Sequence, residues 1–138
     1  MIEVFFDTSY AVALSVETDA HHLRALELSD RFESQAKVIT TTAILFEIGN
    51  ALARTRHRQT AAILLDAIGA DANFEIVPIT QDLYGEALDL YRSRVDKDWG
   101  LIDCASFVVM QGRGLTDALT ADQHYEQAGF RALLRVSD

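Results

Sequence analysis

The sequence predicts an α/β fold in which a central parallel sheet of four to five strands carries helices on both faces. Three observations carry this. Short runs of strand-forming residues recur along the chain, such as Ile2-Glu-Val-Phe-Phe6 and Phe74-Glu-Ile-Val77. Longer helical stretches separate most of them, which is the pattern of parallel β-α-β units. Two of the strands end on an acid, Asp7 and Asp122. In such sheets the functional crevice lies beyond the carboxyl ends of the strands.

Composition bounds the reading further. The chain of 138 residues, 49% hydrophobic with one proline, reads as one domain over 1–138 with no linker, repeat or low-complexity segment. No apolar run reaches the ~18 residues of a membrane span. Glu3 stands where a signal peptide would be basic. Cys104 is the single cysteine, which excludes an internal disulfide. The expectation is a reduced, cytoplasmic protein with no membrane contact. The formal net charge of −9 argues against a passive binder held on nucleic acid by a basic surface. It leaves room for an enzyme that meets nucleic acid through cations and a local basic patch, or for a basic partner.

In chain order, residues 2–6 form a buried strand and 8–16 a short helix, with Asp7 placed to cap it. Residues 19–32 form an amphipathic helix with Leu23, Leu26 and Leu28 on its apolar side. Its adjacent His21 and His22 point apart and read as solvated. Residues 36–40 are a second strand. Thr40, Thr41 and Thr42 then cap a helix to about Arg54, with Ile44, Ile48, Ala51, Leu52 and Thr55 inward and Glu47 at the edge of that stripe. Arg54, Arg56, His57 and Arg58 form the only dense basic cluster. It reads either as a helix C-terminus, where cations suit the dipole, or as a phosphate-contacting patch. A helix over 61–68 stops at Gly69, and 74–78 is a third strand ending at Pro78. Thr80 caps a helix to about Val95, with Leu83, Ala87, Leu90, Tyr91 and Arg94 along one side. A polar turn, Asp96-Lys-Asp98, leads into the most apolar helix, from Leu101 to Met110, ended by Gly112 and Gly114. Residues 118–121 are a short fourth strand, 123–127 a helical turn, and 133–136 a fifth strand.

Asp103 stands inside that apolar helix, interrupted otherwise only by Ser106. Capping is one explanation for it, because the first helical turn favours an anion. A cation shared among several acids is the other. Asp7 and Asp122 open onto the carboxyl edge of the sheet, Asp103 starts its helix at the same end, Glu47 can reach the crevice, and Asp98 is an additional acid on the rim. Two like charges ~4 Å apart repel by roughly 4 kcal/mol at an effective dielectric near 20. Clustering four acids therefore costs far more than a helix cap's ~1 kcal/mol returns. Hard oxygen ligands suit Mg²⁺ or Mn²⁺. Such ions activate water and stabilise the attacking and leaving oxygens in phosphodiester hydrolysis.

Asp7-Thr-Ser9, Glu47-Ile-Gly-Asn-Ala-Leu52, Asp96-Lys-Asp-Trp-Gly-Leu-Ile-Asp-Cys-Ala-Ser-Phe107 and Ala118-Leu-Thr-Ala-Asp-Gln-His-Tyr-Glu-Gln-Ala-Gly-Phe130 occur in that order. Together they resemble the motifs of the PIN-domain family, specifically the VapC-type ribonuclease toxins of toxin–antitoxin pairs, over essentially the whole chain. The resemblance implies a PIN-like three-layer α/β/α fold and a Mg²⁺- or Mn²⁺-dependent endoribonuclease. Asp7, Glu47, Asp103 and Asp122 would match the acidic quartet that holds metal and cuts RNA. Thr8, Asn50 and Ser106 would lie beside them. It also implies an antitoxin partner and pairing as a homodimer. His124 stands where many members carry another acid, and Gly100 where a Ser or Thr cap is common. A PIN nuclease of RNA maturation without an antitoxin, and a non-catalytic acidic interaction module, are the alternatives. An aspartyl phosphatase at Asp7 would want a second Asp where Ser9 stands.

Overall fold

The structure, a computed structural model, describes residues 1–32 and 35–136. Residues 33–34 and 137–138 of the predicted domain lie outside the described residues. Strand β1 (Ile2–Phe6) takes the middle of the sheet because its second half is wholly apolar. Val4 and Phe5 are fully buried and Phe6 nearly so. Its companions are β2 (Ala36–Thr41), β3 (Phe74–Val77), β4 (Asp117–Leu119) and β5 (Arg131–Ala132). All pair in parallel, in the order β3-β2-β1-β4-β5. Phe5 stands opposite Ile39 on one side and Ala118 on the other, so the register locks around the most apolar strand.

Helices α1 (Thr8–Ser15), α2 (His22–Phe32), α3 (Thr42–Ala51) and α4 (Thr55–Ala70) form one packed group around α1. Helices α5 (Gln81–Ser93) and α6 (Leu101–Arg113) lie along each other, with the short α7 (Gln123–Gln127) against α6. The β1-to-β2-to-β3 crossovers step outward, and the β3-to-β4 crossover returns over the sheet. Right-handed crossovers in opposite directions cover opposite faces, which gives the expected three layers. No helix among the described residues is long and apolar enough to cross a membrane.

Several boundaries differ from expectation, each for a local reason. The fifth strand comes two residues early. Gly129, at φ +96°, reverses the chain after α7, and Arg131 then stands opposite Asp117. Leu133 and Leu134 bury their side chains in the following turn rather than in a strand. Helix α2 starts at His22 because Asp19 accepts the His21 amide at 2.8 Å and holds a turn. In its true phase Ala25 and Leu28 face inward while Leu23 and Leu26 are exposed. His22 is not simply solvated, since its Nδ1 meets the Ala13 carbonyl at 2.6 Å. The predicted helix to Arg54 ends instead at Ala51, leaving Ala51 and Thr55 exposed. Helix α4 begins at Thr55, runs through Gly69 and ends at Ala70. The basic cluster is therefore a helix N-terminus, which removes the dipole explanation offered for a C-terminus. Tyr91 on α5 is exposed rather than inward. Gly114, at φ +65°, ends α6 as expected, with Gly112 still inside the helix.

Candidate active site

The strand order reverses direction between β1 and β4, and at such a point the chains leaving two neighbouring strands part and open a crevice. Asp7 directly follows β1, and Thr120, Ala121 and Asp122 follow β4. Asp7 is almost fully buried. Its Oδ2 accepts from Thr120 Oγ1 at 2.7 Å, Ser9 Oγ at 2.9 Å and the Ser9 amide at 3.4 Å. Its Oδ1 accepts from the Tyr125 hydroxyl at 3.0 Å. The Ser9 contact makes Asp7 the N-cap of α1, so the capping explanation is physically correct as far as it goes.

The other acids are tied in turn. Thr8 Oγ1 donates to Glu47 Oε1 at 2.5 Å and thereby joins α1 to α3. Asp103 Oδ2 accepts the Gly100 amide at 3.1 Å, the contact an acid makes from the third residue of a helix back to its cap. Glycine at the cap has no side chain to return it. Asp122 caps α7 by accepting the His124 amide at 2.8 Å. His124 is held between two acids, with Nδ1 3.1 Å from Asp103 Oδ2 and 3.4 Å from Asp122 Oδ1. The closest ligand atoms of Asp103, Asp122 and His124 all lie within 4.8 Å of one another.

Electrostatics connects the four acids. Burial pushes the Glu47 carboxyl above its ordinary value; the Thr8 hydroxyl opposes this, and the charges of Asp7, Asp103 and Asp122 add to the rise. Burial also raises Asp103, with Asp122 and Asp7 pushing the same way and the Gly100 amide and His124 against. Tyr125 is raised well above 10 by its complete burial and by Asp7, so its hydroxyl stays a donor. Among the described residues no lysine or arginine pairs with any of the four acids. Two carboxylates within 4.8 Å repel by about 3 kcal/mol or more at an effective dielectric near 20. Helix capping explains the local bonds of Asp7, Asp103 and Asp122 but not why four acids share one crevice with no lysine or arginine beside them among the described residues. The carboxylate oxygens form a hard donor set of the kind that holds a divalent cation.

The remaining predicted residues fall at varying distances from this cluster. Asn50 and Asp98 are exposed and share no hydrogen bond with the acids. Ser106 is buried and donates to the Ile102 carbonyl of its own helix at 3.1 Å. Arg54, Arg56 and Arg58 are exposed at the start of α4 and, among the described residues, form no ion pair. Most other cations do, as in Lys37–Glu75, Arg94–Asp96 and Arg135–Glu126. The sequence reading missed Ser9, Thr120 and Tyr125 as hydrogen-bond donors to Asp7. Ser9 and Thr120 each lie two residues from an acid, which is the available signal. Tyr125 gave none, because an aromatic in a short helix looks like core.

Residues 4–131 match the PIN domain family. The chain belongs to the PIN-domain family. This PIN domain is 30% identical over 128 residues to the 23S rRNA-specific endonuclease VapC20 of Mycobacterium tuberculosis, strains H37Rv and CDC 1551 / Oshkosh, covering 92% of this chain and 95% of the relative. It superposes on the crystal structure of Mycobacterium tuberculosis VapC20, described as a sarcin–ricin loop cleaving toxin, with a TM-score of 0.81 and 28% identity over 93% of this chain and 96% of that one. It also resembles VapBC2 from Rickettsia felis, solved bound to a DNA fragment from its promoter. There the TM-score is 0.61 and the identity 15% over 93% of each chain, which speaks to the fold alone.

Proposed function

We propose that this PIN domain is an endoribonuclease that hydrolyses RNA phosphodiester bonds with Mg²⁺ or Mn²⁺, and that it is the toxin of a toxin–antitoxin pair. The observation that carries this reading is the convergence of Asp7, Glu47, Asp103 and Asp122 on one crevice, with no lysine or arginine to neutralise them among the described residues. The likeness to VapC20 over 92% of the chain supports RNA as the substrate class and makes 23S rRNA the first RNA to test. The antitoxin, and pairing of two copies of the chain, rest on the resemblance of the motifs.

The four carboxylates would hold the cation, which when bound supplies Lewis acidity for water and for the phosphoryl oxygens. Thr8 holds Glu47 toward Asp7. Ser9, Thr120 and Tyr125 fix the orientation of Asp7. His124 bridges Asp103 and Asp122 through Nδ1, which leaves Nε2 to orient a water or meet the RNA. Arg54, Arg56 and Arg58 would contact backbone phosphates, the role that unpaired cations in an acidic chain suit.

The test is cleavage of a total-RNA pool, with and without Mg²⁺ or Mn²⁺, by the native chain, Asp7→Asn and Asp103→Asn, each checked for folding by circular dichroism. Cation-dependent cutting that either substitution lowers by at least ~10²-fold is expected, the scale of losing an electrostatic contributor in a dry site. Cutting that persists in folded variants would place the chemistry elsewhere.

A further inference from the structure

We infer that Tyr125 is a positioning residue of the acidic site, its hydroxyl orienting Asp7 so that one lone pair of Oδ1 is held ready for a cation. This rests on the cation-binding reading of the four acids. A carboxylate has about four acceptor directions, two on each oxygen. Oδ2 of Asp7 is saturated by Ser9 and Thr120. Among the described residues, Oδ1 takes a single donor, the Tyr125 hydroxyl at 3.0 Å, and has one direction left. Every donor to Asp7 among the described residues is a neutral hydroxyl or amide, so the network fixes the carboxylate without cancelling its charge. A charged partner such as arginine would fix it equally well and remove the reason for a cation to bind.

The tyrosine is itself immobilised. Its ring is fully buried, lies edge-on to Phe107 at 5.0 Å and packs beside Phe5 at 6.3 Å. A buried tyrosine hydroxyl needs an acceptor, and a backbone carbonyl would satisfy that structural need. Here the acceptor is instead the carboxylate at the end of the central strand. Tyr125 also sits in the turn of helix that Asp122 caps, so α7 presents the fourth acid and orients the first in one short element. Groups that orient a ligand carboxylate typically change metal affinity by about 10–100-fold when removed.

Tyr125→Phe keeps the ring and deletes only the hydroxyl. Mn²⁺ binding to the full chain is read from the electron paramagnetic resonance signal of free Mn²⁺, with circular dichroism as the check on folding. The expected result is a Kd for Mn²⁺ raised about 10-fold, with RNA cutting largely restored at saturating Mn²⁺. A merely structural tyrosine would leave the Kd unchanged. An unchanged or tighter Kd overturns the inference while leaving the acidic site intact. A native chain that binds no Mn²⁺ overturns the cation reading itself and this inference with it. Should the variant not fold, the native chain gives a second readout. Mg²⁺ is expected to perturb a buried tyrosine in the ultraviolet difference spectrum, and the signal should survive in Tyr84→Phe and Tyr91→Phe, whose rings are exposed, and in Tyr10→Phe, which removes the hydroxyl of the other buried tyrosine. No perturbation, or one lost with any of these three, overturns the inference.

Discussion

Asp7, Asp103 and Asp122 each accept a backbone amide at the start of a helix. Each bond is worth about 1 kcal/mol, and together they hold like charges at a distance where repulsion is larger. Glu47 makes no such bond and relies on Thr8. Glu47→Gln keeps an acceptor for Thr8 and removes one charge. In chelator at pH 7 it should raise thermal stability by a few tenths to about 1 kcal/mol, the half-exposed position screening the gain. The raised Glu47 and Asp103 values set the pH dependence. The folded state holds these protons more tightly than the unfolded chain. The native chain without cations therefore loses stability as pH rises from the ordinary carboxylate range through the raised values, and regains it on acidification. Glu75 acts oppositely. Arg113 and Lys37 lower it to about 2, so its contribution is present above the ordinary carboxylate range and fades as pH falls toward that value. Thermal melts on acidification from pH 7 toward the ordinary carboxylate range should show the native chain gaining more than Glu47→Gln. Equal slopes would mean that burial and the neighbouring acids do not hold Glu47 above its ordinary value. Of the acids, Asp7, Asp103 and Asp122 were legible in the sequence because each ends a strand or begins a helix, whereas Glu47 lies inside α3 and was marked only by its place at the edge of an apolar stripe. Tyr125 was not legible, because its role depends on a tertiary contact 118 positions away.

The α3–α4 junction shows what an element boundary decides. A continuous apolar period from Ile44 to Leu52 predicts one helix to Arg54, and nothing in Ala53-Arg54-Thr55 is a strong breaker. The break nonetheless occurs there and puts Arg54 at the N-cap of α4 with no side-chain cap bond. Cations at a helix N-terminus face the wrong end of the dipole, at a cost of about 0.3–1 kcal/mol each. Arg54→Ser supplies a good cap and should therefore stabilise the chain by about 0.5–1 kcal/mol, while weakening RNA cutting. Neutralising Arg54, Arg56 and Arg58 together should weaken cutting further and leave Mn²⁺ affinity nearly unchanged. Parallel loss of cutting and cation affinity would show that the cluster supports the fold rather than the substrate. The fifth strand was displaced for a similar reason. Leu133 and Leu134 read as strand formers, but burial in a turn satisfies them equally, and the glycine reversal at Gly129 fixes the pairing earlier.

Across the whole molecule, the parallel sheet and its alternating helices were legible because strand and helix periods differ and the connections are long. The strand order was not, and the order places the crevice. Reversal between β1 and β4 brings Asp7 to Asp122 although 115 positions separate them. Folding around β1 thus assembles the repulsive cluster, and a bound cation should return that energy through mass action. The most direct test is thermal unfolding of the native chain and Asp103→Asn, each in chelator and in saturating Mn²⁺. The account predicts Asp103→Asn to be at least as stable as the native chain in chelator, and Mn²⁺ to raise the native midpoint by several degrees while moving the variant far less. A native midpoint indifferent to Mn²⁺, or equal shifts in both proteins, would contradict the claim that these acids are gathered to hold a cation.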